Sequence, residues 1–129
     1  MKDELVIDGV TIARGERKRF EMVVAKLFDH TKMTIPVEVI RGKKDGPTMF
    51  ISAALHGDEI NGVEVIRRLL SRKKLLSQLK GTLIAVPIVN MFGFNQKLRY
   101  LPDRRDFHFF QSVHNLRQKF RIFCWQRIY

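Results

Sequence analysis

The sequence lacks the features that would indicate a membrane protein, a disulfide-bonded protein or a repeat protein. Cys124 is its single cysteine, which excludes an internal disulfide and fits a reducing, cytoplasmic setting. No apolar run reaches the length of a membrane span, and the N-terminus lacks the apolar core of a signal peptide. We also find no internal repeat and no low-complexity linker. These absences favour one ordinary globular domain with no membrane partner.

Basic residues outnumber acidic residues, with 24 Lys and Arg against 13 Asp and Glu, and the formal net charge is +11. Such a balance invites a nucleic-acid interpretation. The basic residues, however, stand in pairs and triplets with acids between most of them, which is more typical of solvated faces or of an attraction for anionic substrates. Nucleic acid is therefore not the expected partner. A basic anion-binding or nucleic-acid-binding module stays open as an alternative, and a steep salt dependence of single-strand binding would favour it.

A strand, a turn and a helix are predicted in succession after residue 48. Residues 49–55 form an uncharged apolar run, long enough for a buried strand. His56 and Gly57 break this run, and Glu59 then opens a helix of about residues 59–71. The apolar residues of this helix recur at helical spacing, at Ile60, Val63, Ile66, Leu69 and Leu70. His56 is thus expected at the carboxyl end of a strand, where open α/β sheets bind ligands.

His56 and Glu59 carry the chemistry of this segment. An imidazole and a carboxylate three residues apart can lie close together, and they are half of a zinc site made of two His and one Glu. Gly57 lets the backbone turn sharply beside a ligand. A plain helix start explains the same residues, with Asp58 and Glu59 favourable at the N-terminus and His56 a polar turn residue. The pair alone does not decide between the two interpretations.

The N-terminal half is predicted to be mostly strand. Residues 5–7 form a short apolar piece before a turn at Asp8 and Gly9. Residues 19–28 and 35–40 are predicted strands. The second alternates Ile35, Val37 and Val39 against Glu38 on its polar side, with Ile40 breaking the pattern. His30, in the connector between them, is expected to be a surface residue. Residues 42–47 are predicted to form a turn or hairpin.

The segment after the helix completes a strand-helix-strand crossover. Residues 75–79 extend or restart the helix, and Gly81 is predicted to close it. Residues 82–89 form a second buried strand, followed by Asn90. The crossover places His56 and Asn90 at one edge of the sheet.

Several motifs in fixed order carry a family resemblance. They are Gly46-Pro47, the apolar strand, His56-Gly-Asp-Glu59-Ile-Asn-Gly62, the strand at 82–89, Asn90-Met-Phe-Gly93-Phe, and Arg99-Tyr-Leu-Pro-Asp-Arg-Arg-Asp106. Together, over residues 5–106, they resemble the succinylglutamate desuccinylase/aspartoacylase family, which is related to the zinc carboxypeptidases.

The resemblance implies both a fold and an activity. It implies an α/β fold with a mixed sheet flanked by helices, of which residues 1–106 are the N-terminal part of the catalytic domain. It implies that His56 and Glu59 are the first two zinc ligands and that Arg99 polarises the scissile carbonyl, with Asp106 beside it in substrate binding. The expected reaction is zinc-dependent hydrolysis of the amide bond of a small anionic N-acyl amino acid.

The sequence departs from the family pattern directly after Asp106. Family members usually continue with Leu-Asn-Arg, whose Asn and Arg hold a substrate carboxylate, whereas His108 and Phe109 occupy those places here. Neither side chain replaces a bidentate guanidinium. The family also takes its third zinc ligand and its general base from later segments, and no acidic residue follows Asp106. We therefore expect this chain to be truncated and weakly active or inactive, or to be a non-catalytic metal-binding fragment.

Residues 107–129 differ in composition from the rest of the chain. They hold the only Trp and seven of the 13 aromatic residues, with four basic residues and no acid. An edge strand or a terminal amphipathic helix is one explanation, and a segment that stacks on single-stranded nucleic acid is another. Our hypothesis is a change of reading frame near codon 107. We expect the aromatic residues of this tail to be exposed and to cause self-association.

Overall fold

The computed structural model describes residues 4–26, 29–54, 60–89 and 123–124. In chain order its elements are β1 (Leu5–Ile7), β2 (Val10–Ile12), β3 (Arg17–Lys26), β4 (Lys32–Arg41), β5 (Lys44–Ser52), α1 (Asn61–Ser71), α2 (Lys73–Leu76), β6 (Lys80–Val86) and β7 (Phe123–Cys124). The strands β1 and β2 pair with each other, and the remaining strands form one sheet in the order β3-β4-β6-β5-β7.

The larger sheet is mixed, which confirms the predicted α/β fold. The pairs β3–β4 and β4–β6 are antiparallel, whereas β5 runs parallel to both β6 and β7. Because α1 connects the parallel strands β5 and β6, the predicted strand-helix-strand crossover is confirmed. The carboxyl ends of β5 and β6 consequently lie at the same edge of the sheet.

An aliphatic core fills the space between the β1–β2 hairpin and one face of the sheet. Ile7 and Ile12 of the hairpin are buried with Ile35, Val37 and Val39, which alternate along β4. Full burial of one such side chain contributes roughly 1.5–3 kcal/mol to folding. The predicted alternation and the predicted turn after β1 are therefore both confirmed, and together they attach the N-terminal hairpin to the sheet.

The opposite face of the sheet packs against the helices. Ile66 and Leu70 of α1 and Leu76 of α2 are buried in one cluster with Ile40 of β4 and Leu83 of β6. The helical spacing thus predicted the inner face of α1 correctly at its centre. Because the helices cover one face of the sheet and the β1–β2 hairpin covers the other, β4 and β6 are covered on both faces.

The start of the helix differs from the prediction. The helix α1 begins at Asn61, and Ile60 stands at the position before it with 62% of its surface exposed. The prediction that Ile60 belongs to the buried face is wrong, because Ile60 precedes the first residue of α1 and most of its surface is exposed. Glu59, predicted in the first helical turn, lies outside the described residues.

Two segments predicted as turns are parts of strands. The strand β5 begins at Lys44, so it includes most of the predicted turn at residues 42–47, and it ends at Ser52 with Met49 exposed. Gly81 belongs to β6 and does not close a helix. It has a φ of 86°, and a Cβ placed on it would lie 2.1 Å from the carbonyl oxygen of Pro47. The glycine is needed because β5 and β6 approach each other closely here.

The described part of the tail forms a short edge strand. In β7, Phe123 pairs with Met49 and Cys124 pairs with Phe50, both in parallel register. This agrees with the edge-strand explanation for that part of the tail. None of the helices that the structure describes has the length and apolar content to cross a bilayer.

Candidate functional site

Ala53 ties the carboxyl ends of β5 and β6 together. Its backbone N–H donates a hydrogen bond of 3.1 Å to the Val86 carbonyl oxygen, and its own carbonyl oxygen accepts one of 3.0 Å from the Val89 N–H. Both polar backbone groups of Ala53 are therefore satisfied just beyond β5. As a result, residues 54 onward and 90 onward continue from neighbouring points at one edge of the sheet.

Ala54, the residue after Ala53, has an unusual backbone conformation. Its φ is 50°, and only 3% of its surface is exposed. A positive φ is uncommon for a residue with a Cβ and costs roughly 1–2 kcal/mol. The other described non-glycine residues with positive φ are Asp8 and His30, which are exposed and of types that tolerate it. Ala54 is the buried, apolar exception, and it directly precedes residue 55.

Gly62 brings the first turn of α1 against the same point. A Cβ placed on Gly62 would lie 2.9 Å from the Cβ of Ala53, which is closer than such atoms pack. The chain before residue 55 and the chain after residue 59 therefore meet in direct contact. Sequence reasoning gave no role to Ala54 or to Gly62. A glycine in the first turn of a helix, where glycine is unfavourable, was the available signal.

The predicted site residues themselves lie outside the described residues. This holds for the predicted zinc ligands His56 and Glu59 and for Arg99 and Asp106. Among the residues that the structure does describe, no group of three or more His, Cys, Asp or Glu could hold a metal ion. The described residues form the frame on both sides of residues 55–59. The imidazole of His56 and the carboxylate of Glu59 are ligand types that suit zinc.

A second polar region lies on the helix-facing side of β3 and β4. A groove of about 960 Å³ runs between these strands and α1, from Gly15 to Ile88. Within it, the Glu38 side chain is 5% exposed and accepts hydrogen bonds from Arg17 Nε and, at 3.1 Å, from Arg19 Nη2. The prediction that Glu38 lies on a polar side is wrong, because the helices cover that side. We assign the buried carboxylate a structural role, since both of its oxygens are bound by guanidinium groups.

The strongest electrostatic effect in the described residues lies on the outer face of α1. The Glu64 carboxylate accepts hydrogen bonds from Arg67 Nε at 2.7 Å, Arg67 Nη2 at 2.8 Å and Arg68 Nε at 2.8 Å. The two hydrogen bonds from Arg67, followed by the one from Arg68, lower the pKa of Glu64 from 4.5 to about 2. The side chains of this cluster are mostly exposed and lie three and four residues apart along α1, so we assign the cluster a role in supporting the helix.

Comparison with known proteins identifies the family. The family model described as the succinylglutamate desuccinylase/aspartoacylase catalytic domain matches residues 45–121, more than half of the chain. The match continues past residue 106, where the motif resemblance ends. No curated protein matches the chain significantly.

Solved structures of the same family have a similar fold. An aspartoacylase family protein from Mesorhizobium loti aligns with a TM-score of 0.70 and 22% identity, over 84% of this chain and 38% of that chain. A succinylglutamate desuccinylase/aspartoacylase from Rhodobacter sphaeroides aligns with a TM-score of 0.62 and 28% identity, over 72% of this chain and 29% of that one. A family protein from Shewanella amazonensis aligns with a TM-score of 0.57 and 34% identity, over 67% and 25%. The chain thus spans between a quarter and two fifths of the length of these proteins.

Proposed function

Because the chain belongs to the succinylglutamate desuccinylase/aspartoacylase family, whose members are deacylating hydrolases, we propose that it carries part of a zinc-dependent amidohydrolase site. The substrate would be a small anionic N-acyl amino acid, cleaved at its amide bond. One observation carries the proposal: β5 and β6 are parallel, and Ala53 ties their carboxyl ends together. The segment that contains His56 follows β5 at this edge, and the segment that leads to Arg99 follows β6.

His56 and Glu59 are the proposed ligands of zinc. His56 offers a neutral ring nitrogen and Glu59 a carboxylate oxygen, two donor types of the catalytic zinc site with two His and one Glu. Zinc, when bound, would hold and acidify a water molecule. The third ligand is not assigned to any residue by the motif, and His108 and His114 are the histidines of the tail that could supply it.

Arg99 is proposed to act on the substrate carbonyl. Its guanidinium would donate charge-assisted hydrogen bonds to the oxygen on which negative charge develops as the amide carbon becomes tetrahedral. Asp106 follows in the same motif and is proposed to line the substrate subsite. At the two family positions that hold a substrate carboxylate, His108 and Phe109 offer no planar pair of donors. The proposed site therefore positions the carbonyl better than it positions the carboxylate.

Metal content tests the ligand assignment. The purified chain should bind zinc more weakly than a complete site with three protein ligands, and His56→Ala should abolish this binding. His30→Asn is the matched control, because it removes an exposed histidine outside the motif and asparagine tolerates the positive φ at that position. Zinc bound equally by His56→Ala would contradict the proposal. Tight equimolar zinc that resists a mild chelator would show that a tail histidine completes the site.

A further inference from the structure

We propose that Ala54 and Gly62 are positioning residues for the metal-binding segment between them, an inference that rests on the proposed roles of His56 and Glu59. The two residues flank residues 55–59, one at the exit of β5 and the other in the first turn of α1. Neither carries a group that could bind a metal ion. Their contribution is to fix where that segment begins and where it ends.

The exit from β5 is fixed by an anchored residue followed by a strained one. Ala53 is held by backbone hydrogen bonds to both Val86 and Val89, so its position follows β6. Ala54 then takes a φ of 50° while buried. A conformation that alanine rarely adopts persists only where the surroundings impose it, and such residues concentrate at functional sites. The strained residue here is the last one before the segment with the proposed ligands.

The entry into α1 is fixed by contact. The side chain of Ala53 occupies the space where a Cβ of residue 62 would stand, at 2.9 Å. Any larger residue would push the start of α1 away from the end of β5. Since a helix moves as a unit, this would change the distance between Ala54 and Asn61, the first residue of α1. A metal site needs its ligands held within about 0.5 Å, so we expect this contact to affect ligands that lie between the two residues in the chain.

Alanine at position 54 restricts the chain more than glycine would. Both can adopt a φ of 50°, but glycine also populates many other conformations. Ala54→Gly therefore relieves the strain and at the same time loosens the direction in which the chain leaves β5. A purely structural role predicts no loss of stability and no loss of metal affinity from this substitution. A positioning role predicts weaker metal binding at unchanged stability.

The test measures metal affinity and folding stability separately, in the 129-residue chain. Co²⁺ alone is the probe: its visible absorption reports binding, and urea unfolding of the metal-free protein reports stability. We expect Ala54→Gly to keep its stability and to weaken Co²⁺ binding about two- to five-fold, because of the freedom that glycine adds. Gly62→Ala should weaken binding about ten-fold or more, as expected when a ligand pair is displaced.

Gly9→Ala is the matched control. Gly9 also has a positive φ, of 77°, but nothing lies within 4 Å of an added Cβ, and the residue belongs to the β1–β2 turn. This variant should lose stability and keep wild-type Co²⁺ affinity. Wild-type affinity in both Ala54→Gly and Gly62→Ala would overturn the inference while leaving His56-dependent binding, and so the proposed function, intact. If Gly62→Ala does not fold, Ala54→Gly decides alone. Absence of His56-dependent Co²⁺ binding in the unmodified chain would overturn both.

Discussion

The carboxylate of Glu38 is bound by the guanidinium of Arg17 from the neighbouring strand, on the side of the sheet that faces the helices. The exposure of the two partners differs: the Glu38 side chain is 5% exposed and that of Arg17 is 35% exposed. Arg19, which is mostly exposed, supplies a second bond to the same carboxylate. A buried charge requires such partners, because an unpaired carboxylate in this position would be strongly destabilising. The two arginines keep part of their hydration while they bind the Glu38 carboxylate.

Removing this carboxylate should destabilise the fold. Glu38→Ala leaves a void beside β4 and deletes hydrogen bonds to charged groups, so we expect a loss of about 1–3 kcal/mol in the free energy of unfolding. Urea denaturation measures it. Glu21→Ala is the control, since Glu21 is an exposed acid on β3, and it should change stability by less than about 0.5 kcal/mol. Equal effects of the two substitutions would show that burial of Glu38 has no energetic role.

Gly81→Ala should lower the free energy of unfolding more than Gly9→Ala does. Gly9 and Gly81 both have positive φ, which costs roughly 1–2 kcal/mol for a residue with a Cβ. At Gly81 the new Cβ would also collide with the Pro47 carbonyl oxygen, adding about 1–3 kcal/mol of overpacking. Urea denaturation of Gly9→Ala and Gly81→Ala separates the two contributions. If both variants lose the same stability, β5 and β6 do not approach as closely as the structure has them.

The elements with regular apolar spacing could be predicted from the sequence, and the errors arose where tertiary contacts decide. The inner face of α1 at Ile66 and Leu70 follows from helical periodicity, and the alternation along β4 follows from strand periodicity. Gly81 has the sequence appearance of a helix end, but the approach of another strand determines its role. Glu38 has the appearance of a surface residue, and only the arrangement of β3 beside β4 shows that Arg17 binds its buried carboxylate.

For the candidate site, the sequence predicted which edge of the sheet carries it. It did not predict the backbone contacts and conformation at Ala53 and Ala54. The order strand, helix, strand was enough to place the ends of β5 and β6 together. The anchoring of Ala53 and the strain at Ala54 could not be predicted, because alanine has no local preference for a positive φ. The identity of the zinc ligands, the boundary at residue 107 and self-association through the tail stay predictions.

Acid should weaken the Glu64 cluster of α1 in a defined pH range. The pKa of Glu64 is lowered from 4.5 to about 2 in the folded chain, so ionised Glu64 favours the folded state. This contribution is complete above pH 4.5 and is lost as the pH falls towards 2. The unfolding free energies of the unmodified chain and of Glu64→Gln, compared from about pH 6 down to about pH 2, should show a difference that shrinks as the pH falls. A constant difference would argue against the lowered pKa.

The two arginines of this cluster should contribute unequally. Arg67 donates two hydrogen bonds to Glu64 and Arg68 donates one. Arg67→Met should therefore raise the pKa of Glu64 further than Arg68→Met does, as measured by NMR titration of the carboxyl group. Because the cluster is exposed, high salt should reduce both effects. A larger rise in Arg68→Met would mean that Arg67 does not hold the carboxylate with two donors in solution.

The last prediction concerns catalysis by the 129-residue chain. Hydrolysis of an N-acyl amino acid at neutral pH needs an acidified water, a base that takes its proton and a fixed substrate carboxylate. The candidates for holding zinc and its acidified water are His56 and Glu59, and the candidate for stabilising the oxyanion is Arg99. No acid follows Asp106 to act as the base. Loss of a positioned general base lowers the rate by about two to four powers of ten. An unpaired substrate carboxylate adds roughly 2–5 kcal/mol where it is buried.

These losses multiply, so we expect little or no turnover of N-acetylaspartate, succinylglutamate or other N-acyl amino acids with zinc present. The double variant His108→Asn/Phe109→Arg restores the residue types that the family usually carries at those positions. It should improve binding of the substrate carboxylate, seen as a lower KM for any residual activity, without restoring kcat, because the base is still lacking. Zinc-dependent turnover by the unmodified chain that disappears in Glu59→Ala would disprove this expectation. It would mean that the tail, or a partner subunit, supplies the missing groups.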